Sequence, residues 1–216
     1  VERNKVRGRF ITLEGTEGVG KSTNLAVIKE WLDRQGIKFI ITREPGGTPL
    51  AESLRHLLLA KRDEQVDATA ELLMVFAARA QHLNTLIKPQ LLAGTWVLSD
   101  RFTDATYAYQ GYGRGLDLGL IHQLETIVQH QLRPDVTVYL DMDVQAGLTR
   151  AKERGELDRF EQEDVAFFER VRKGYLARVA ADPKRYIVID ASQSLAEVKQ
   201  AIEQALDKYF VLERLS

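Results

Sequence analysis

The stretch GTEGVGKS, Gly15 to Ser22, separates two glycines by four residues and follows the second with Lys21 and Ser22. That is the spacing of a loop whose backbone N–H groups, with a helix N-terminus behind them, converge on a phosphate. Lys21 is placed to neutralise β- and γ-phosphate oxygens, and the Ser22 hydroxyl to ligate Mg²⁺. Gly15, Gly18, Gly20 and Thr23 complete the expected ATP cradle. From average usage such a match arises by chance in roughly one chain in a hundred of this length, and here a strand-like run precedes it and a helical pattern follows. The loop predicts binding of a nucleoside triphosphate. Glu17 sits in its middle, a carboxylate where phosphates belong.

Moving a phosphoryl group onto a second phosphate is electrostatically hard. Two dianions about 4 Å apart repel by roughly 16 kcal/mol at an effective dielectric near 20. Cations must therefore come from several elements. Besides Lys21 the sequence offers Arg43 and Arg101 directly after strand-like runs, and Arg150, Arg154 and Arg159 in a polar stretch, 150–162, expected to form a short mobile lid. Asp100 is expected to hold Mg²⁺ or its waters, with Glu14 as a further candidate, and Arg101 to fork across the acceptor phosphate. A phosphate oxygen is already a nucleophile, so no general base is required. The four histidines are accordingly given no chemistry. Phe76 and Arg79, three apart, share a helical face; a ring and a guanidinium there suit a nucleobase.

Five runs rich in β-branched or aromatic residues read as strands: Phe10–Glu14, Phe39–Arg43, Trp96–Asp100, Val136–Asp141 and Tyr186–Asp190. Helical periodicity fills the gaps. Leu25, Ile28 and Leu32 mark one face up to a stop at Gly36, and Leu72, Phe76, Leu83 and Ile87 stripe a long helix ending near Pro89. Ser194 and Glu197 have capping-box spacing before a stripe of Leu195, Val198, Ile202 and Tyr209. Alternation of strand and helix, with mostly continuous apolar strands, predicts a parallel sheet covered on both faces. Glu14, Asp100, Asp141 and Asp190 end four strands, and Arg43-Glu44 the fifth. Ligand crevices lie at such carboxyl ends.

Among phosphate-loop users, a GTPase needs an NKxD base-reading motif, and the sequence has none. A motor or large ATPase needs more chain than 216 residues. A small kinase remains; its first rival is another small phosphate-loop kinase acting on a different nucleoside monophosphate or on a deoxynucleoside, and the rival from another class is a nucleotide-binding scaffold lacking chemistry. The net charge of −1 supplies no global field toward nucleic acid or anionic membrane. No cysteine is present for disulfides or thiolate metal sites, and no apolar run approaches the roughly 18 residues of a spanning helix. The opening VERNKVRGRF has no apolar core behind its basic residues, which predicts no signal peptide. One cytoplasmic domain over 1–216 is expected.

Taken together, FITLEGTEGVGKST, REPGGT (Arg43–Thr48), FAARAQ (Phe76–Gln81), SDRF (Ser99–Phe102), ATYAYQGYGRG (Ala105–Gly115) and RGELDRFEQED (Arg154–Asp164) resemble the bacterial thymidylate kinases over nearly the whole chain. The resemblance implies a P-loop NTPase three-layer α/β/α fold with a five-stranded parallel sheet and a mobile lid. It implies ATP- and Mg²⁺-dependent phosphorylation of dTMP to dTDP, and a homodimer. It assigns Glu17 to the acceptor sugar, Phe76 to stacking on thymine, Arg79 to O4, and Thr106 and Gln110 to N3 and O2. It packs Tyr109 against the sugar and places Arg43, Pro45, Arg55 and Arg101 around the acceptor. With no arginine between Thr16 and Val19, the catalytic guanidinium is expected from the lid, Arg154 first, with Arg150 toward ATP. In many members the stacking ring stands four residues before the arginine, where this chain has Val75.

Overall fold

A computed structural model describes residues 7–153, 159–160 and 162–215. Five strands, β1 (Phe10–Gly15), β2 (Phe39–Arg43), β3 (Trp96–Asp100), β4 (Val136–Asp141) and β5 (Tyr186–Asp190), form one all-parallel sheet in the order β2-β3-β1-β4-β5. The central strands β1, β3 and β4 are buried almost throughout, whereas the edge strands β2 and β5 alternate with exposed positions. That burial explains their continuous apolar character. The chain leaves β1 toward β2 on one side and later fills the other with β4 and β5, so the topology reverses beside β1. Crevices for ligands form at such a point.

Nine α-helices are described: α1 (Lys21–Arg34), α2 (Pro49–Leu59), α3 (Ala68–His82), α4 (Lys88–Leu92), α5 (Thr103–Thr106), α6 (Leu118–Gln129), α7 (Val144–Glu153), α8 (Val165–Ala181) and α9 (Leu195–Leu215). On one face, Val27, Ile28 and Leu32 of α1 and Val198, Ile202, Leu206 and Phe210 of α9 pack on Ile11, Leu13, Val136 and Val138 of the sheet. On the other, Phe167, Phe168, Val171 and Tyr175 of α8 pack against Tyr139 and Tyr109, and α3 and α6 meet through Leu72, Phe76 and Ile121. The three layers are those expected from the sequence.

The helix ends follow local chemistry. Gly36 takes φ 65° just after α1, where only glycine is unstrained. Ser194 N donates to Glu197 Oε2 at 3.0 Å and Glu197 N to Ser194 Oγ at 3.4 Å, closing the expected capping box. The α9 stripe is shifted, however: Leu195 is exposed, and Leu206 and Phe210 join the core instead. The α3 pattern does not stop near Pro89 either. A π-helical turn, Leu83–Ile87, absorbs the interruption, and Pro89 lies at the start of α4, where its missing N–H costs nothing. Past β3, the Tyr- and Gly-rich run forms α5 and a second π-helical segment, Tyr107–Gly113.

Candidate active site

A cleft of about 350 Å³ opens at the carboxyl ends of β1, β2 and β3. One end is the loop between β1 and α1. Gly18 and Gly20 hold φ of 73° and 85°, and Gly20 caps α1 with its first turn free of acids. A Cβ on Gly18 would lie 1.7 Å from the Gly147 carbonyl oxygen, and one on Gly147 2.6 Å from that of Glu17. The loop is therefore pressed against α7 by two glycines, and nothing local to Gly147 signals this contact. Gly18, Gly20, Lys21, Ser22 and Thr23 line the cleft. Lys21 Nζ folds onto the loop's own carbonyls, Gly15 O at 3.2 Å and Thr16 O at 2.7 Å. Burial, then the neighbouring Arg101 charge, lowers its pKa from the ordinary lysine value, with Glu17 opposing.

Glu17 answers its own puzzle in part. Its Oε1 accepts from Arg101 Nη2 at 2.6 Å and the Tyr109 hydroxyl at 2.8 Å, and its Oε2 lies 3.8 Å from Lys21 Nζ. The loop acid is thus an internal counter-ion that orders the cations lining the cleft. Arg101 takes a left-handed φ of 67°, costly for a residue with a Cβ. The turn is held by Arg101 N donating to Leu13 O at 2.9 Å, and it carries the guanidinium over the Tyr109 ring at 4.7 Å.

Beneath Arg101, Glu14 accepts from Phe102 N at 2.7 Å and the Tyr175 hydroxyl at 2.8 Å. Burial first, then Asp104, pushes its pKa up to about 8. Both oxygens are committed to this support, so Glu14 is placed under the site rather than as a metal ligand. Asp100 differs. It lines the cleft, and its buried Oδ1 has no partner among the described residues. An orphaned carboxylate oxygen and the Ser22 hydroxyl in one cleft fit Mg²⁺, which takes few protein oxygens and leaves its other positions to phosphate and water. Consistently, no cluster of three or more His, Asp or Glu suited to a metal occurs among the described residues.

The far end of the cleft is built from side chains. Arg79, 2% exposed, donates Nε to Glu44 Oε2 at 2.7 Å and Nη2 to Phe102 O at 3.2 Å and Thr106 Oγ1 at 2.9 Å. Its Nη1 is buried without a partner among the described residues. His82 supports Glu44 from behind, with Nδ1 3.0 Å from Oε1 and Nε2 2.7 Å from Thr42 Oγ1. Burial alone would raise the Glu44 carboxyl, but Arg79 and His82 outweigh it and hold the pKa below the ordinary value. Pro45, Arg55, Thr106, Tyr109 and Gln110 also line the cleft. Arg55 Nη1 donates to Pro45 O at 2.9 Å, and burial, then Arg43, lowers its pKa.

Several expected residues are placed differently. Val75 lines the cleft, while Phe76 turns into the core with Leu72, Tyr107 and Ile121, one residue of helix being a 100° rotation. Arg43 is half exposed and paired with Glu52 at 2.8 Å. The expected lid begins as helix: Arg150 lies on α7, lines the cleft and donates to Ala191 O at 3.3 Å. Arg159 reaches Leu58 O at 2.7 Å and Glu71 at 2.6 Å, away from the phosphate loop. Arg154 lies outside the described residues. Of the strand-end acids, Asp141 pairs with Arg172 at 2.8 Å and Asp190 bonds Ser192, both in structural roles. Sequence reasoning missed Glu44, Glu71, Tyr175 and Phe160. Only Glu44 carried a signal, beside Arg43 at a strand exit.

A phosphate cradle at the switch point of a parallel sheet, sharing one cleft with a side-chain pocket, defines a P-loop protein built for two ligands. A model of the thymidylate kinase family matches residues 13–202. The chain is 65% identical to a thymidylate kinase of Teredinibacter turnerae over 94% of this chain and 98% of that one. It is 57% identical to one from Pseudomonas fluorescens, covering 96% and 98%. The crystal structure of thymidylate kinase from Ehrlichia chaffeensis superposes with a TM-score of 0.74 at 35% identity, covering 93% of this chain and 99% of that one. The chain belongs to the thymidylate kinase family.

Proposed function

We infer that this protein is a dTMP kinase, transferring the γ-phosphoryl group of ATP to the phosphate of dTMP to give ADP and dTDP for dTTP synthesis. The observation that carries this reading is the single cleft. Arg101 contacts the loop acid Glu17, and its chain neighbour Phe102 accepts from Arg79 of the far pocket. A nucleotide lying in that pocket has its phosphate near Arg101 and the loop.

The loop N–H groups and Lys21 hold the donor phosphates, and Lys21 exchanges its carbonyl partners for phosphate oxygens as they arrive. Arg101, released from Glu17, grips the acceptor phosphate, and Glu17 is freed for the acceptor's sugar hydroxyl. Arg150 extends the positive lining on the donor side. Ser22 and Asp100 would hold Mg²⁺, which would offset phosphate charge. A phosphoryl oxygen of dTMP attacks in line, and no proton need be removed from it. Among the described residues no helix is long and apolar enough to cross a membrane. Family likeness is the ground for expecting a cytoplasmic homodimer without nucleic-acid or membrane partners.

Coupled assays with dTMP, dUMP, dCMP, AMP and thymidine test the assignment, with dTMP expected to be strongly preferred. Faster turnover of thymidine would overturn the role of Arg101, because a nucleoside brings no phosphate for it. For Arg154, placed in catalysis by family likeness, Arg154→Ala is expected to lower kcat more than it raises KM for dTMP. A pure KM effect would make it a binding residue.

A further inference from the structure

We propose that Glu71, on α3 outside the cleft lining, determines base selectivity by fixing which end of the Gln110 carboxamide faces the acceptor base. The inference rests on the dTMP reading above. Glu71 is fully buried. Its Oε1 accepts from Gln110 Nε2 at 2.8 Å and Arg114 Nε at 3.3 Å, and its Oε2 from Arg159 Nη2 at 2.6 Å and Arg114 Nη2 at 3.3 Å. A carboxylate gripped by two guanidinium groups offers lone pairs only. Gln110 must therefore turn its NH₂ toward Glu71, which turns its carbonyl oxygen away. A flipped amide would set that carbonyl against the carboxylate.

Gln110 is buried at the cleft wall with Val75, Arg79 and Thr106, and among the described residues no hydrogen bond engages its Oε1. Arg79 Nη1 is a buried donor without a partner there. Arg79 thus supplies a donor and Gln110 an acceptor. A pyrimidine with a carbonyl at C4 and a proton on N3 matches that pair. Cytosine reverses both positions, with an amino donor at C4 and a bare N3. Were Gln110 free to flip, its NH₂ would meet cytosine N3, and the acceptor half of the discrimination would vanish. Glu71 is then a positioning residue acting through Gln110, and Arg114 and Arg159 hold its two oxygens in place.

The experiment is the ratio of kcat/KM for dTMP to kcat/KM for dCMP in wild type and Glu71→Gln. The variant is expected to shrink the ratio at least about tenfold, the size of one mispaired buried hydrogen bond, mostly through KM. A parallel fall for both substrates, leaving the ratio unchanged, would overturn the proposal, because lost packing does not discriminate between bases. If Glu71→Gln does not fold, Glu71→Asp keeps the charge for the two arginines but withdraws its oxygens from Gln110. The same outcomes apply to it. Gln110→Met should reproduce the loss of ratio, and combining it with the Glu71 variant should add nothing further. Independent losses would also overturn the proposal. A wild-type chain that fails to phosphorylate dTMP would defeat the functional reading instead, which separates the two failures.

Discussion

The two ends of the cleft are built from different materials. The donor end is mostly backbone: glycines with left-handed φ and one lysine resting on its own loop's carbonyls. The acceptor end is mostly buried charge: Glu44, Arg79 and His82 in one knot and Glu71 with Gln110, Arg114 and Arg159 in another. Backbone anion sites need only the right turn. In a buried ionic knot each charge removed leaves another stranded. Damage at the donor end should therefore appear in rate alone, and at the acceptor end in rate and stability together.

The sharpest way to break that contrast is Lys21→Ala. Phosphoryl transfer is expected to fall by a factor of at least about 10³, measured in single-turnover assays, with the unfolding midpoint little changed. A stability loss as large as that at the acceptor end would erase the distinction. Next in size is Arg79→Met, which strands Glu44 beside His82. Its unfolding free energy in urea is expected to drop by about 3–5 kcal/mol, together with a weakened dTMP KM.

Glu14 lies under both ends and sharpens the comparison through pH. Its pKa is raised from 4.5 to about 8 in the folded chain. Between those values the native state holds a proton that the unfolded chain has released. Its stabilising contribution is thus complete below pH 4.5 and is lost as pH rises through 8, at about 1.4 kcal/mol per pH unit. Glu14→Gln mimics the protonated acid, so the stability difference between variant and wild type should grow from pH 5 to pH 8. A flat difference would mean Glu14 is ionised throughout. The smallest effect is expected for Arg43→Ala. Its pair with Glu52 is exposed, so stability should change by less than about 1 kcal/mol. A larger loss would place Arg43 within the acceptor-end knot.

The same division governs what could be read in advance. All five strands, their parallel arrangement and the phosphate loop were legible because each depends on neighbours a few residues away. Phe76 was not, since Val75 and Phe76 are both apolar positions of one helix and only packing against Tyr107 and Ile121 decides which faces the core. Glu71 carries no local signal of its role, because its partners stand 39, 43 and 88 residues away. Pro89 looked like a stop, and a π-turn let the helical path continue through it.

By itself the sequence determined the sheet, the anion cradle and the pool of cations, because hydrophobic period, glycine spacing and charge are local properties of the chain. Tertiary structure alone decided which cations meet, which carboxylates support rather than ligate, and which end of Gln110 faces the cleft. Those outcomes depend on burial, which makes an unpartnered charge so costly that side chains far apart in the sequence are brought together to pair it.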